Sequence, residues 1–295
     1  MSRTPYDTFS KDLTAAALAP LGEARSDARL ASDPQYADLR FEARPGITTP
    51  RTDLFARMGV ERALFEFSRE APDLAEMASW QRKQLSWFQA LLNEARRDRT
   101  PPPALPPVSW GLSSGPPTQA MRAYALASMG APWPRGCYQG APAGTFRLVV
   151  ISELPRTRDT LLVRALGKGT TFRRAVAELE ALPPEAPERT LIAVPLLQLQ
   201  LQLRDDSSDE AKEILMQTQK LAQEMLQQQF DRGVEKAVVS LRESIALVAA
   251  NRGLELGAAH RARLDAERRI EVLQAWLTAA LTAERAADIF VEPTR

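Results

Sequence analysis

The spacing of apolar residues changes character once along this chain, near residue 155. Before it, short alternating runs predict strands. Gln35-Tyr36-Ala37-Asp38-Leu39-Arg40-Phe41-Glu42 alternates polar and apolar. This predicts a half-buried strand with Asp38, Arg40 and Glu42 on one face and Leu39 and Phe41 on the other. Ala63-Leu64-Phe65-Glu66-Phe67-Ser68 predicts a second strand, with Glu66 and Ser68 on one face because side chains repeat every two residues. Residues 21–30 predict an edge strand, and 108–112 and 137–139 short strands. Residues 146–154 are nearly continuously apolar and rich in β-branched side chains, the pattern of a central strand. Helical spacing falls at 6–19, 53–58, 73–98 and 118–128. The third of these is the clearest, opened by the cap pattern Asp73-Leu-Ala-Glu76 and carrying Trp80 and Trp87 one heptad apart, read as packing residues. A proline-rich connector follows it at 100–107.

Beyond residue 155 helices dominate. Residues 158–166 and 171–182 predict two, separated by Gly167-Lys168-Gly169. That tripeptide lacks the frame of a phosphate-binding loop and reads as a helix C-cap. Leu197, Leu199, Leu201 and Leu203 alternate, which predicts a strand over 196–203. Ser207-Ser208-Asp209-Glu210 is a capping box opening a helix to about residue 250. Ile214, Leu221, Met225, Phe230, Val234, Val238, Leu241, Ile245 and Val248 form a quasi-heptad stripe along it, which wants a partner within this chain or in a second copy. Gly233 inside it could mark a bend. Short helices over 257–264, 266–281 and 283–290 complete the chain. The division expected is 1–155, 156–206, 207–250 and 251–295.

Composition narrows the function classes. With 295 residues, 44% hydrophobic and 25% charged, the chain has the make-up of one large or two modest globular domains. A net charge of +1 leaves no global footprint for nucleic acid or membrane, so any basic site must be local. One cysteine, Cys137, excludes an intrachain disulfide framework and a cysteine-built zinc site; one histidine, His260, excludes multi-histidine metal sites and reads as a surface residue beside Arg261 and Arg263. No apolar run reaches membrane-spanning length, and charges at Arg3, Asp7, Lys11 and Asp12 interrupt any signal-peptide core. A cytoplasmic protein with no membrane partner is expected. No dinucleotide fingerprint, complete phosphate loop or nucleophile–base pattern points to an organic cofactor.

The one constellation with chemistry in it spans residues 35–68. Two adjacent strands would present Asp38 and Glu66 side by side. Converging carboxylates can hold Mg²⁺, which activates water for displacement at phosphorus. Taken alone, the spacing leaves open that both are solvated strand-edge acids.

Taken together, the motifs resemble the PD-(D/E)XK restriction-endonuclease-like superfamily, and within it the recombination-promoting nuclease or transposase-like proteins of bacteria. Tyr6-Asp7-Thr8-Phe9-Ser10-Lys11 is similar to that family's first-helix signature, and Leu18-Ala-Pro-Leu-Gly22 leads into a strand as it does there. Val149-Val-Ile-Ser-Glu-Leu-Pro155 followed by 161–168 resembles its strand-to-helix passage, and 252–290 a small appended helical module. The resemblance implies an α/β (α+β) fold with a mixed central sheet flanked by helices, then an all-α C-terminal region. It implies that Asp38 and Glu66 are the motif acids and bind Mg²⁺. The third position, Lys or Gln in the family, is Ser68 here. A cation there stabilises charge on the phosphate; Lys11 and Arg40 are the nearby substitutes. The implied function is a Mg²⁺-dependent DNA endonuclease, weakened or silenced by Ser68, with Lys11, Arg40, Arg96, Arg97 and Arg99 as phosphate contacts. The alternative is a non-catalytic scaffold of the same fold that self-associates through residues 207–250.

Overall fold

In the computed structural model the strand-forming segments of the first half assemble into one mixed seven-stranded sheet. The structure describes residues 5–26, 29–30, 35–46, 51–59, 62–141, 145–204, 206 and 208–290. Helix α1 (Pro5–Leu18) leads into β1 (Gly22–Ser26), which pairs antiparallel with β4 (Leu39–Ala43) at the sheet edge. Strand β4 pairs antiparallel with β5 (Ala63–Ser68), Leu39 opposite Phe65 and Phe41 opposite Ala63. Parallel pairing then runs from β5 to β6 (Val108–Ser113) and on to β9 (Phe146–Val150). Strands β8 (Cys137–Gln139) and β7 (Ala127–Ser128) close the far edge antiparallel. Two further two-residue strands, β2 (Arg29–Leu30) and β3 (Gln35–Tyr36), pair with each other.

The predicted strand over 35–42 is therefore broken. Tyr36 ends one short strand and Leu39 begins another, so Asp38 stands in the bend between them. Leu39 and Phe41 are fully buried while Arg40 and Glu42 are half-buried, as the alternation predicts. Parts of the predicted edge strand, the turn after Ala43 and Ser207 of the predicted capping box lie outside the described residues.

Helix α2 (Leu54–Met58) forms where predicted, with Asp53 accepting from the Ala56 N–H. Helix α3 (Leu74–Asp98) is the crossover between the parallel strands β5 and β6, a connection parallel pairing requires. Asp73 caps it by accepting from the Glu76 N–H at 2.8 Å. Its buried stripe is Met77, Trp80, Lys83, Gln84, Trp87, Leu91 and Ala95. Trp80 packs over Gly111 of β6, where a Cβ would stand 2.4 Å from the indole ring. The predicted helix over 118–128 is shorter: α4 (Thr118–Ala123) ends and Ala127 and Ser128 become strand. The strand over 146–154 likewise stops at Val150 and continues as a 3-10 turn.

In the second half, α5 (Leu161–Arg164) and α6 (Thr170–Glu180) flank the Gly167–Gly169 segment, and Gly169 takes the N-cap position of α6 at φ +54°. Helix α7 (Pro187–Leu203) corrects the predicted strand over 196–203. Leucine and glutamine are unbranched at Cβ and favour helix, and Ile192, Leu196, Leu199 and Leu203 form the buried stripe while Leu201 is exposed. The alternation was real in the residues but a helical period was nested in the same leucines.

The chain divides into two units, Met1–Ala222 and Gln223–Arg295, and α8 (Asp209–Asn251) runs through the division. In the first unit the start of α8 is tied by Ser208 Oγ accepting from the Ala211 N–H and by Gln200 Nε2 donating to Thr218 Oγ1. In the second, Val238, Ile245 and Ala249 pack with Leu273, Trp276, Ile289 and Phe290. These come from α8, α10 (Ile270–Ala280) and α11 (Ala286–Ile289); α9 (Ala258–Ala266) adds Leu264. The predicted stripe on α8 thus finds most of its partners within the chain, and helix continues through Gly233. The fold is α/β, a mixed sheet with flanking helices followed by a helical region. No helix among the described residues is long and apolar enough to cross a membrane.

Candidate functional site

Antiparallel pairing of β4 and β5 sets the geometry of the acids. The ladder places Leu39 opposite Phe65, and Asp38 and Glu66 lie one step beyond that pair. Asp38 stands in the bend just beyond the ladder, and its carboxyl meets that of Glu66 through side-chain contact rather than strand register. Asp38 is held there by its backbone neighbours: the Phe67 N–H donates to Asp38 Oδ2 at 3.1 Å. Lys11 of α1 approaches from the other side, its Nζ 3.4 Å from Asp38 Oδ1. Three of the four residues singled out in the sequence therefore meet.

Glu66 is fully buried, and its partner is Lys83 of α3, whose Nζ donates to Oε2 at 2.6 Å. The other carboxyl oxygen, Oε1, is buried with no donor on it, and the Glu66 carboxyl hydrogen-bonds with that of Asp38. Burial first and the adjacent Asp38 carboxylate second, opposed by Lys83, together raise the Glu66 pKa to about 8. A buried acid facing a second acid is held toward its neutral form until a cation or a shared proton relieves it.

Ser68 brings no charge. It lies two residues beyond Glu66 at the C-terminal end of β5, and its hydroxyl hydrogen-bonds Glu76 on the first turn of α3. Glu76 is nonetheless pushed above the usual carboxylate range, first by partial burial and also by Asp73 and Asp38. Arg40 does not substitute for the missing lysine: it ion-pairs with Glu42 and stacks on Trp87, 4.7 Å from the ring centroid. Arg96 lies about 20 Å along α3 beyond Lys83, so the basic end of that helix is remote from the acids.

Lys83 is the residue that the sequence reading missed. A signal for it existed. It falls inside the apolar stripe of α3, between Trp80 and Trp87, where a cation must find a buried partner. His260 also departs from expectation: it is half-buried and stacks on Phe290 with ring centroids 5.2 Å apart. Cys137 is buried, which raises its thiol to about 12 and leaves it unreactive.

No group of three or more His, Cys, Asp or Glu among the described residues could hold a metal by side chains alone. The pair Asp38–Glu66 suits a different donor set. Mg²⁺ commonly takes one or two carboxylates and fills its remaining positions with water and substrate phosphate, and the adjoining Asp38 and Glu66 carboxyls could supply such a pair once Glu66 is deprotonated. No family model, curated protein or solved structure matches the chain.

Proposed function

We propose that the Asp38–Glu66 site is a divalent-metal-dependent phosphodiesterase centre acting on DNA, a nuclease in which Lys83 supplies the charge that Ser68 does not. The observation that carries this reading is the convergence of two acids and two lysines from α1, the β3–β4 bend, β5 and α3 on one point. Asp38 and Glu66 would hold Mg²⁺, which supplies Lewis-acid stabilisation of the phosphate and a more acidic bound water. The residues themselves do the rest. Glu66 would hold the ion as its carboxylate, since a metal ligand must be deprotonated. Lys83, held beside the acids by Glu66 Oε2, would place its ammonium near developing negative charge, the role a preorganised cation plays in a water-poor site. Lys11 holds Asp38 in place. The mixed sheet flanked by helices is the architecture that the nuclease resemblance implies and supports the reading.

Purified protein is expected to nick supercoiled plasmid with Mg²⁺ or Mn²⁺ and not with EDTA. Asp38→Ala and Glu66→Ala should each abolish nicking. Metal-dependent cleavage at full rate in both variants sinks the assignment.

A second reading is favoured by a separate observation. On α8, Leu226 and Phe230 are 59% and 66% exposed, one turn apart. Large apolar side chains clustered in water mark an interaction surface, which suits a scaffold that self-associates through this helix.

A further inference from the structure

Beside Ser68 a narrow cleft runs past the C-terminal ends of the parallel strands, lined by Phe67, Ser68, Tyr6 and Arg69. It shares Tyr6 and Arg69 with a groove of about 410 Å³ lined on one side by Lys168 and Phe172 and on the other by Asp209, Glu210 and Glu213 of α8. Ligands of sheets with parallel strands characteristically bind outside those carboxyl ends. The groove carries the equipment for a polyanion. The Arg69 guanidinium lies over the Tyr6 ring, and its planar fork suits bidentate contacts with an oxyanion. Lys168 lies on the glycine-flanked segment before α6, and Arg173, on the first turns of that helix, reaches the rim of the groove through its pair with the lining residue Glu213.

Each of these cations is already met by an acid from elsewhere in the chain. Arg69 pairs with Glu210 and Arg173 with Glu213 at 2.9 Å, both acids on the first two turns of α8; Lys168 pairs with Glu70. Sequence separations of 141, 40 and 98 residues make these tertiary choices rather than helix-local pairs. An acidic helix start is thus laid along a row of cations next to the two-carboxylate site.

We infer that this groove is the track for the sugar-phosphate backbone of duplex DNA, and that the first two turns of α8 occupy it as an acidic stand-in for that backbone. The inference rests on the phosphodiesterase reading of the Asp38–Glu66 site for its choice of ligand. DNA entering the track displaces Glu210 and Glu213 from Arg69 and Arg173, so α8 restrains binding until it yields.

The test is fluorescence anisotropy of a labelled DNA duplex with the full-length chain over a range of salt. Glu210→Gln with Glu213→Gln should tighten binding about three- to tenfold, as loss of competing surface pairs allows, and steepen the salt dependence. The control is Glu271→Gln with Glu284→Gln, the same change in charge at two exposed acids of the unit Gln223–Arg295. Adding Arg69→Gln and Lys168→Gln to the first pair should erase the gain. A gain no larger than the control's, or no detectable binding by any variant, overturns the inference. Tighter binding without cleavage by any form keeps the track and removes the nuclease reading. Cleavage by the native chain with binding unmoved by Glu210→Gln/Glu213→Gln keeps the nuclease and removes the track.

Discussion

Lys83 crosses from helix α3 to the sheet and donates to Glu66 Oε2 at 2.6 Å, with only 10% of its side chain and 1% of the glutamate's exposed. An ion pair so buried is weak evidence of stability, because desolvation offsets most of its Coulomb energy. Its position, beside Asp38 and Lys11, makes it informative about function. If Lys83 supplies charge to a reacting phosphate, Lys83→Met should slow metal-dependent cleavage about 100-fold, the usual cost of losing one preorganised electrostatic group. Ser68→Lys in that background should restore part of the rate, since residue 68 follows Glu66 on the same strand face. A Lys83→Met protein that cuts at the native rate removes Lys83 from the mechanism.

Glu66 also predicts a pH dependence of stability in the metal-free protein. Its folded pKa is raised to about 8, by burial first and Asp38 second, whereas an unfolded glutamate titrates near ~4.3. Between those values the folded chain retains a proton that the unfolded chain has lost. Stability from this group is therefore fully present below about pH 4 and lost as pH rises through 8. Glu66→Gln is neutral throughout and escapes the loss. In EDTA, urea unfolding should show the variant gaining about 2–4 kcal/mol on the native protein between pH 5 and 8.5. A constant difference across that range contradicts the raised pKa.

These two residues also show where the sequence was legible. The β-branched run at Phe146–Val150 and the alternation at Leu39–Phe41 are short-range signals, and each became a strand with the expected buried face. Antiparallel pairing of β4 with β5 brings Asp38 next to Glu66, although Asp38 stands in the bend before β4 and not on the predicted strand. Leu196–Leu203 misled because its leucines satisfy both periods, and only packing against neighbouring elements selected the helix. Lys83 was obscured because its partner lies on another element. The pairs Arg69–Glu210 and Lys168–Glu70 were obscured for the same reason: ion pairs between residues far apart in sequence leave no local pattern.

Gly111 offers a test of how α3 seats on the sheet. A Cβ at this position would lie 2.4 and 2.9 Å from two ring carbons of Trp80 and 3.3 Å from Leu148. Trp80 is itself buried among Met77, Ala120 and Phe146 and has little room to retreat. Gly111→Ala should cost about 1–3 kcal/mol, the range for overpacking a filled core, read as a lower urea midpoint with an unchanged slope. Because α3 also carries Lys83, any cleavage should fall with it. An Ala variant as stable as the native chain would mean that the indole moves freely.

The exposed turn of α8 gives the scaffold reading its own test. Leu226 and Phe230 are absent from the buried cluster built by Val238, Ile245 and Trp276, so charging them leaves that core intact. If the helix mediates self-association, light scattering of the native chain should give a mass that rises with concentration above that of one chain. Leu226→Glu with Phe230→Glu should return it to a single chain at every concentration, with helicity by circular dichroism unchanged. Burying two such side chains in a second copy is worth about 3–6 kcal/mol before association entropy, so the dimer should be weak and the variant's effect complete. A native protein that scatters as one chain throughout refutes self-association by this surface, and an oligomer indifferent to both substitutions places the contact elsewhere.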